Sequence, residues 1–174
     1  LSKAMKIANA TIKKLESAKN KLVKQQDIIY KQANYDHLTS LANRSLLHQR
    51  LEVLIQNSTE NSKKFAILFL DLDRFKEIND SLGHDVGDEL LVHVAKLLLL
   101  ATRKTDTVAR IGGDEFIILL DDVKSKKTIT PIAQKILNAL DQLLKIKEYD
   151  LHVTTSIGIS IYPDHGDDFN ALLK

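Results

Sequence analysis

Phe65-Ala-Ile-Leu-Phe-Leu-Asp-Leu-Asp73 is the stretch on which the fold turns. Six consecutive apolar residues are too many for a strand with one wet face. The run therefore reads as a strand buried on both sides, with carboxylates appearing only at its end. Asp71 and Asp73, two residues apart, are delivered to the same face at one rim of a sheet. Downstream, Thr107 to Ile111 and Phe116 to Leu120 are β-like runs, and Gly112-Gly113-Asp114-Glu115 between them reads as a hairpin with a four-residue turn. Helical patterns cover Asn43 to Gln56, Arg74 to Ser81, Asp88 to Thr102 and Ile129 to Leu144. Between them lie a polar loop from Asn57 to Lys64, a break from Leu82 to Gly87, and finally a β-branched strand from His152 to Tyr162. Strands alternate with helices, which predicts an α/β (α+β) domain with a single central, mostly antiparallel sheet flanked by helices.

The chain has 174 residues, 44% hydrophobic and 28% charged, the size of one ordinary domain with an appendage. The absence of cysteine excludes a disulfide scaffold, a thiolate zinc site and a cysteine nucleophile. No run approaches the roughly 18 apolar residues of a bilayer-spanning helix and residues 1–34 do not read as a signal peptide, so a cytoplasmic setting without membrane contact by this segment is expected.

Residues 1–34 carry eight Lys against Glu16 and Asp27, whereas 35–174 carry 17 basic and 21 acidic side chains. The overall charge of +2 thus belongs to the first segment. That segment lacks Arg and interleaved aromatics, which argues against nucleic acid. It also has no Gly or Pro, and Leu1, Ala8, Leu15, Leu22 and Ile29 recur every seven residues, accompanied by Met5, Ile12 and Ala33. This is the seam of a coiled-coil-type helix, weakened where Lys19 and Gln26 interrupt it. A helix packed on its own domain is the alternative. The boundaries read as 1–34 for this helix and 35–174 for the domain.

Acids at a hairpin tip are ordinarily solvated turn residues, but Asp71 at the end of an apolar strand is costly to ionise unless a cation is bound. If the hairpin lies beside that strand, Asp71 and Asp114 meet. Two or three carboxylates with water and phosphate oxygens completing the shell is how Mg²⁺ is held in nucleotidyl transfer.

Phe69-Leu-Asp-Leu-Asp-Arg-Phe-Lys-Glu-Ile-Asn-Asp-Ser-Leu-Gly-His-Asp-Val-Gly-Asp-Glu-Leu90, followed by Arg110-Ile-Gly-Gly-Asp-Glu-Phe116, resembles the GGDEF diguanylate cyclase domain. Asp36-His-Leu-Thr-Ser-Leu-Ala-Asn-Arg44 resembles the opening motif of that family, and Thr154-Thr-Ser-Ile-Gly-Ile-Ser-Ile-Tyr-Pro163 its last strand. The resemblance implies a nucleotidyl-cyclase or polymerase-palm-like sheet. It also implies a reaction in which two GTP condense to cyclic di-GMP and two pyrophosphates within a homodimer, using Mg²⁺ or Mn²⁺. Carried over by position, Asp71, Asp114 and Glu115 hold metal by carboxylate and Leu72 by its carbonyl. Asp114, Glu115 and Lys76 are the catalytic set, the base being either acid or neither. Asn79 and a buried Asp88 read the guanine edge; His84 borders the nucleotide or is a surface histidine. Lys76 and the backbone around Phe75 take phosphate oxygens at a helix start. Arg103 and Asp106 match a product-sensing inhibitory site, with an exposed ion pair as the plain alternative. Asp73 is read as a supporting or capping group, Asp36 and Arg44 as structural.

The sequence ends at Lys174, short of a further helix whose cations contact the triphosphate in the family. A parent protein with an upstream sensor domain, a downstream EAL phosphodiesterase domain and membrane attachment fits the flanking patterns. A GTP-binding regulatory module that controls such a phosphodiesterase without condensing GTP is the alternative function.

Overall fold

The computed structural model describes residues 2–173 as two compact units, divided after Asn34. Leu1, first of the seam positions, and Lys174 lie outside the described residues.

The first unit is a single helix, α1 (Lys3–Asn34), 32 residues long, or about 48 Å at 1.5 Å per residue. Its apolar stripe faces solvent: Leu15 is 64% exposed, Leu22 56% and Ile29 64%.

In the second unit, α2 (Arg44–Asn61) precedes β1 (Phe65–Leu72), α3 (Phe75–Leu82) and α4 (His84–Ala101). The hairpin β2 (Thr107–Gly112) and β3 (Glu115–Leu120) follows, then α5 (Lys126–Leu140), β4 (Leu144–Ile146), β5 (Tyr149–Leu151), β6 (Thr155–Tyr162) and α6 (Phe169–Leu172). The four-stranded sheet has the order β2-β3-β1-β6, with every neighbouring pair antiparallel; β4 and β5 form a separate small hairpin. The mixed α/β architecture around one antiparallel sheet is the one expected.

The apolar run of β1 is buried on both faces because each face has its own helical layer. Ala66, Leu68, Leu70 and Leu72 pack with Leu90, Val94 and Leu98 of α4 and Ile129 and Ile136 of α5. Phe65 and Ile67 pack with Leu46, Leu47 and Leu51 of α2, and Tyr162 stacks on Phe65 at 4.8 Å. Asp71 continues the second set by strand alternation, at the polar end of that face.

Several element boundaries differ from the sequence reading. α2 runs through the expected polar loop to Asn61, since its polar residues find partners: Ser58 is buried, and Thr59 Oγ1 lies 2.7 Å from the Tyr162 hydroxyl. The expected break from Leu82 to Gly87 shrinks to Gly83 alone (φ 90°), and His84 already opens α4. The hairpin turn is two residues, not four, because Gly112 pairs with Glu115. Gly113, at φ 50°, supplies the left-handed turn. α5 begins three residues earlier and ends four earlier than expected, at Lys126 and Leu140. The last strand begins at Thr155 rather than His152, since its partner β1 ends at Leu72, opposite Thr155.

Candidate functional site

The sheet register assembles the acidic rim. Asp71 stands opposite Glu115 on one side and Ser156 on the other. Asp114 occupies the tip of the β2–β3 turn, close enough that its charge acts on Asp71. Burial first, then Asp114, then Asp73, push the Asp71 carboxyl above its usual range. Asp71, Asp114 and Glu115 share this rim with no ion pair among the described residues, and a cation would relieve the charge that Asp114 and Asp73 place on Asp71. The side chains of Asp71, Asp114 and Glu115 also make no hydrogen bond there. Among the described residues no group of three or more acid or imidazole side chains is closed around a metal position. The donors are all oxygen, the chemistry suited to Mg²⁺ or Mn²⁺ with part of its shell left to water and phosphate.

Arg110, which the sequence reading left without a role, braces this tip. Its Nε donates to the Gly113 carbonyl at 2.9 Å and its Nη1 reaches both carboxylate oxygens of Asp36, at 3.0 and 3.2 Å. Burial raises the Asp36 carboxyl, but hydrogen bonds from the Thr39 hydroxyl and amide, together with Arg110, outweigh it and hold the carboxyl below its usual range. The arginine stood in the sequence two residues before the glycine pair; only its long-range partner was hidden.

At the other end of the site, α3 starts from Arg74, which is left-handed (φ 59°, ψ 22°) and gives no side-chain cap. The first-turn amides therefore lack a side-chain partner of the usual kind. Phe75 is buried beneath this turn and Lys76 is exposed on it. Asn79 packs against Gly87 so closely that a Cβ at 87 would overlap its Oδ1, which is buried without a hydrogen-bond partner. Asn79 and the neighbour of Asp88 thus meet where α3 crosses α4. Asp88 itself is exposed, which corrects the expectation of a buried carboxylate; it lines a groove of about 340 Å³ with Leu38, His93 and Lys96. Asp88 lies in the second turn of α4, and its helix neighbours Val86, Gly87 and Leu90 are the buried ones. His84 is exposed at the first position of α4, and Leu72 is buried at the end of β1.

A larger open cleft of about 930 Å³ adjoins the rim, lined by Asp71, Asp73, Arg74, Glu77, His152 and Thr154. Asp73 does not join the unpartnered acids: Thr154 Oγ1 and Ser156 Oγ donate to its two oxygens at 2.7 and 3.0 Å. Arg103 and Asp106 lie apart from the rim, just beyond α4. There the Asp106 carboxylate accepts from the Arg103 amide at 2.8 Å, and no ion pair joins the two side chains.

Residues 33–174 match the family described as diguanylate cyclase, GGDEF domain. The chain is 39% identical over 166 residues to the diguanylate cyclase TpbB of Pseudomonas aeruginosa, covering 95% of this chain and 38% of that protein. It is 40% identical over 141 residues to the bifunctional diguanylate cyclase/cyclic di-GMP phosphodiesterase MucR of the same organism, covering 81% of this chain and 20% of that protein. It therefore spans only about a fifth to two fifths of these relatives. The solved GGDEF domain of TpbB superposes with a TM-score of 0.77 at 40% identity, covering 80% of this chain and 81% of that one. With its sheet order, its acidic rim and these relatives in agreement, the chain belongs to the GGDEF diguanylate cyclase domain family, a family of GTP-dependent nucleotidyltransferases.

Proposed function

We propose that this chain condenses two GTP into cyclic di-GMP as a homodimer. The observation that carries the reading is that the sheet register sets Asp71 opposite Glu115 and beside the Asp114 tip, with the Asp71 carboxyl pushed up by burial, by Asp114 and by Asp73. Each subunit holds one GTP; the 3′-oxygen of each nucleotide bonds to the α-phosphorus of the other, its proton departs, and pyrophosphate leaves from each. A bound Mg²⁺ or Mn²⁺ supplies charge neutralisation at the phosphates and acidifies the 3′-hydroxyl. Asp71, Asp114 and Glu115 would hold it by carboxylate and Leu72 by its carbonyl. The open first-turn amides of α3, from Phe75 onward, and the Lys76 ammonium take phosphate oxygens. Asn79, with an acceptor that lacks a partner, and Asp88 on the adjoining helix turn read the guanine edge; His84 borders them. A carboxylate there would accept from guanine N1–H and lose that donor with adenine, which favours GTP over ATP.

Product feedback through Arg103 and Asp106 is part of the same reading: the guanidinium has no partner among the described residues and offers its fork to phosphate or a guanine edge. The exposed stripe of α1 brings two copies together. The setting is the bacterial cytoplasm, within a parent that carries sensor and EAL domains; no described helix is long and apolar enough to cross a membrane.

Incubation of the purified chain with GTP and Mg²⁺, with products resolved by chromatography, tests this. Cyclic di-GMP, abolished by Asp114→Ala, is expected. GTP binding by a verified dimer without product would replace the reading with that of a regulatory module.

A further inference from the structure

Three consecutive hydroxyl residues at the start of β6 each bond to the carboxylate segment at the end of β1. Thr154 Oγ1 donates to Asp73 Oδ2 at 2.7 Å, Thr155 Oγ1 to the Asp71 carbonyl at 2.7 Å, and Ser156 Oγ to Asp73 Oδ1 at 3.0 Å. The Asp73 amide donates to the Thr154 carbonyl at 3.0 Å, extending the β1–β6 ladder one residue past the end of β1. Alternation places Thr155 on the buried face and Thr154 and Ser156 on the other, so the segment is gripped from both sides of the sheet.

We infer that Asp73 is a positioning residue: its carboxylate, held by Thr154 and Ser156, fixes the Asp71–Leu72 metal-binding segment and the entry to α3. The inference rests on the proposed metal site; it extends it to Thr154 and Ser156 and gives the supporting role expected of Asp73 its partners. Asp71 and Asp73 carry the same group on the same face two residues apart, yet they differ in what is left over. Asp73 has a hydroxyl on each oxygen. Asp71 has none, and keeps its lone pairs for a cation.

The grip also reaches the phosphate end. Arg74, the next residue, is left-handed at φ 59°, a conformation a non-glycine side chain adopts only when its surroundings impose it. With Asp73 pinned at its amide and at both carboxylate oxygens, Arg74 must turn there, and that turn aims the first amides of α3. One clamp therefore sets the acid, the Leu72 carbonyl and the helix start together. Supporting hydrogen bonds of this kind orient metal ligands, and their loss lowers metal affinity by about tenfold or more.

Two readouts on the full chain test the inference, with Thr154→Val/Ser156→Ala as the principal variant and Thr154→Val alone should the double variant fail to fold. In the metal-free protein, amide hydrogen exchange at residues 71–76 is expected to quicken by about tenfold in the variant while the β3 amides stay protected. Mn²⁺ binding in the presence of GTP, followed by the paramagnetic resonance of free Mn²⁺, is expected to weaken by about tenfold. Asp73→Asn, which can accept from one hydroxyl and donate to the other, should lose less than Asp73→Ala. Unchanged exchange at 71–76 overturns the clamp outright, whatever the metal does. Quickened exchange with unchanged Mn²⁺ affinity overturns its role at the metal. Loss with Asp73→Asn as large as with Asp73→Ala, while the hydroxyl variants bind normally, would make Asp73 a ligand instead. Asp71→Ala is the control for the site: if it leaves Mn²⁺ binding intact, the metal reading fails, and the exchange result still decides the clamp.

Discussion

Arg110 Nη1 lies 3.0 Å from Asp36 Oδ1, across 74 residues of sequence, with the two side chains 11% and 15% exposed. Because the same guanidinium holds the Gly113 carbonyl, this pair ties the opening loop of the domain to the tip that carries Asp114. Arg110→Ala leaves a carboxylate half-enclosed without its cation, and is expected to cost about 2–4 kcal/mol in urea unfolding at pH 7. Arg110→Lys keeps the charge but not the fork, and recovers only part of it. The sign with pH follows from the lowered Asp36 carboxyl: the contribution is present above the unfolded value of 3.8 and is lost as pH falls through the lower folded value. The gap between parent and Arg110→Ala therefore narrows in acid; a constant gap down to pH 2 contradicts the assignment.

Asp71 has the opposite sign. Burial, Asp114 and Asp73 raise its carboxyl, so the folded chain holds that proton more tightly than the unfolded chain. Its contribution to stability is full below the unfolded value of 3.8 and is lost as pH rises through the raised folded value. Metal-free Asp71→Asn should therefore melt higher than the parent at pH 7, with the difference closing in acid or when Mg²⁺ is added to the parent. A lower melting temperature at pH 7 would show that Asp71 has a stabilising partner instead.

Gly87 sits where α4 crosses Asn79, and a Cβ there overlaps Asn79 Oδ1. Gly87→Ala forces the amide aside or the helices apart, at about 1–3 kcal/mol. Thermal melting measures the first effect. Titration with GTP measures the second: if Asn79 reads the guanine edge as proposed, its displacement is expected to weaken nucleotide binding more than it changes turnover at saturation.

The exposed stripe of α1 predicts self-association through Leu15, Leu22 and Ile29. Leu22→Asp places a charge in that seam and weakens dimerisation by at least about tenfold, equivalent to roughly 1.4 kcal/mol. Sedimentation equilibrium reads it. The unfolding of residues 35–174 should not change, and equal dimerisation in parent and variant would remove α1 from the contact.

Much of this protein follows from local pattern. The apolar run of β1 reads as a strand buried on both faces and the glycine pair with two acids as a turn, so β1 and the β2–β3 hairpin are legible; that the hairpin lies beside β1 and sets Glu115 opposite Asp71 is shown by the sheet pairing. Short elements are less so: the three-residue strands β4 and β5 give no period to read, and the polar end of α2 is helical because Thr59 meets Tyr162, 103 residues away. The tertiary structure alone decided which acids are free. Asp71 and Asp73 carry the same group two residues apart, and what separates them is a pair of hydroxyls more than 80 residues downstream that both donate to Asp73, although Ser156 stands opposite Asp71 in the register. Asp88 is likewise exposed, beside a groove to which Leu38, Lys145 and Ile146 of remote segments contribute. Chain periodicity records which face a side chain takes; whether that face meets a donor, a helix or water depends on segments remote in sequence, and only folding brings those together.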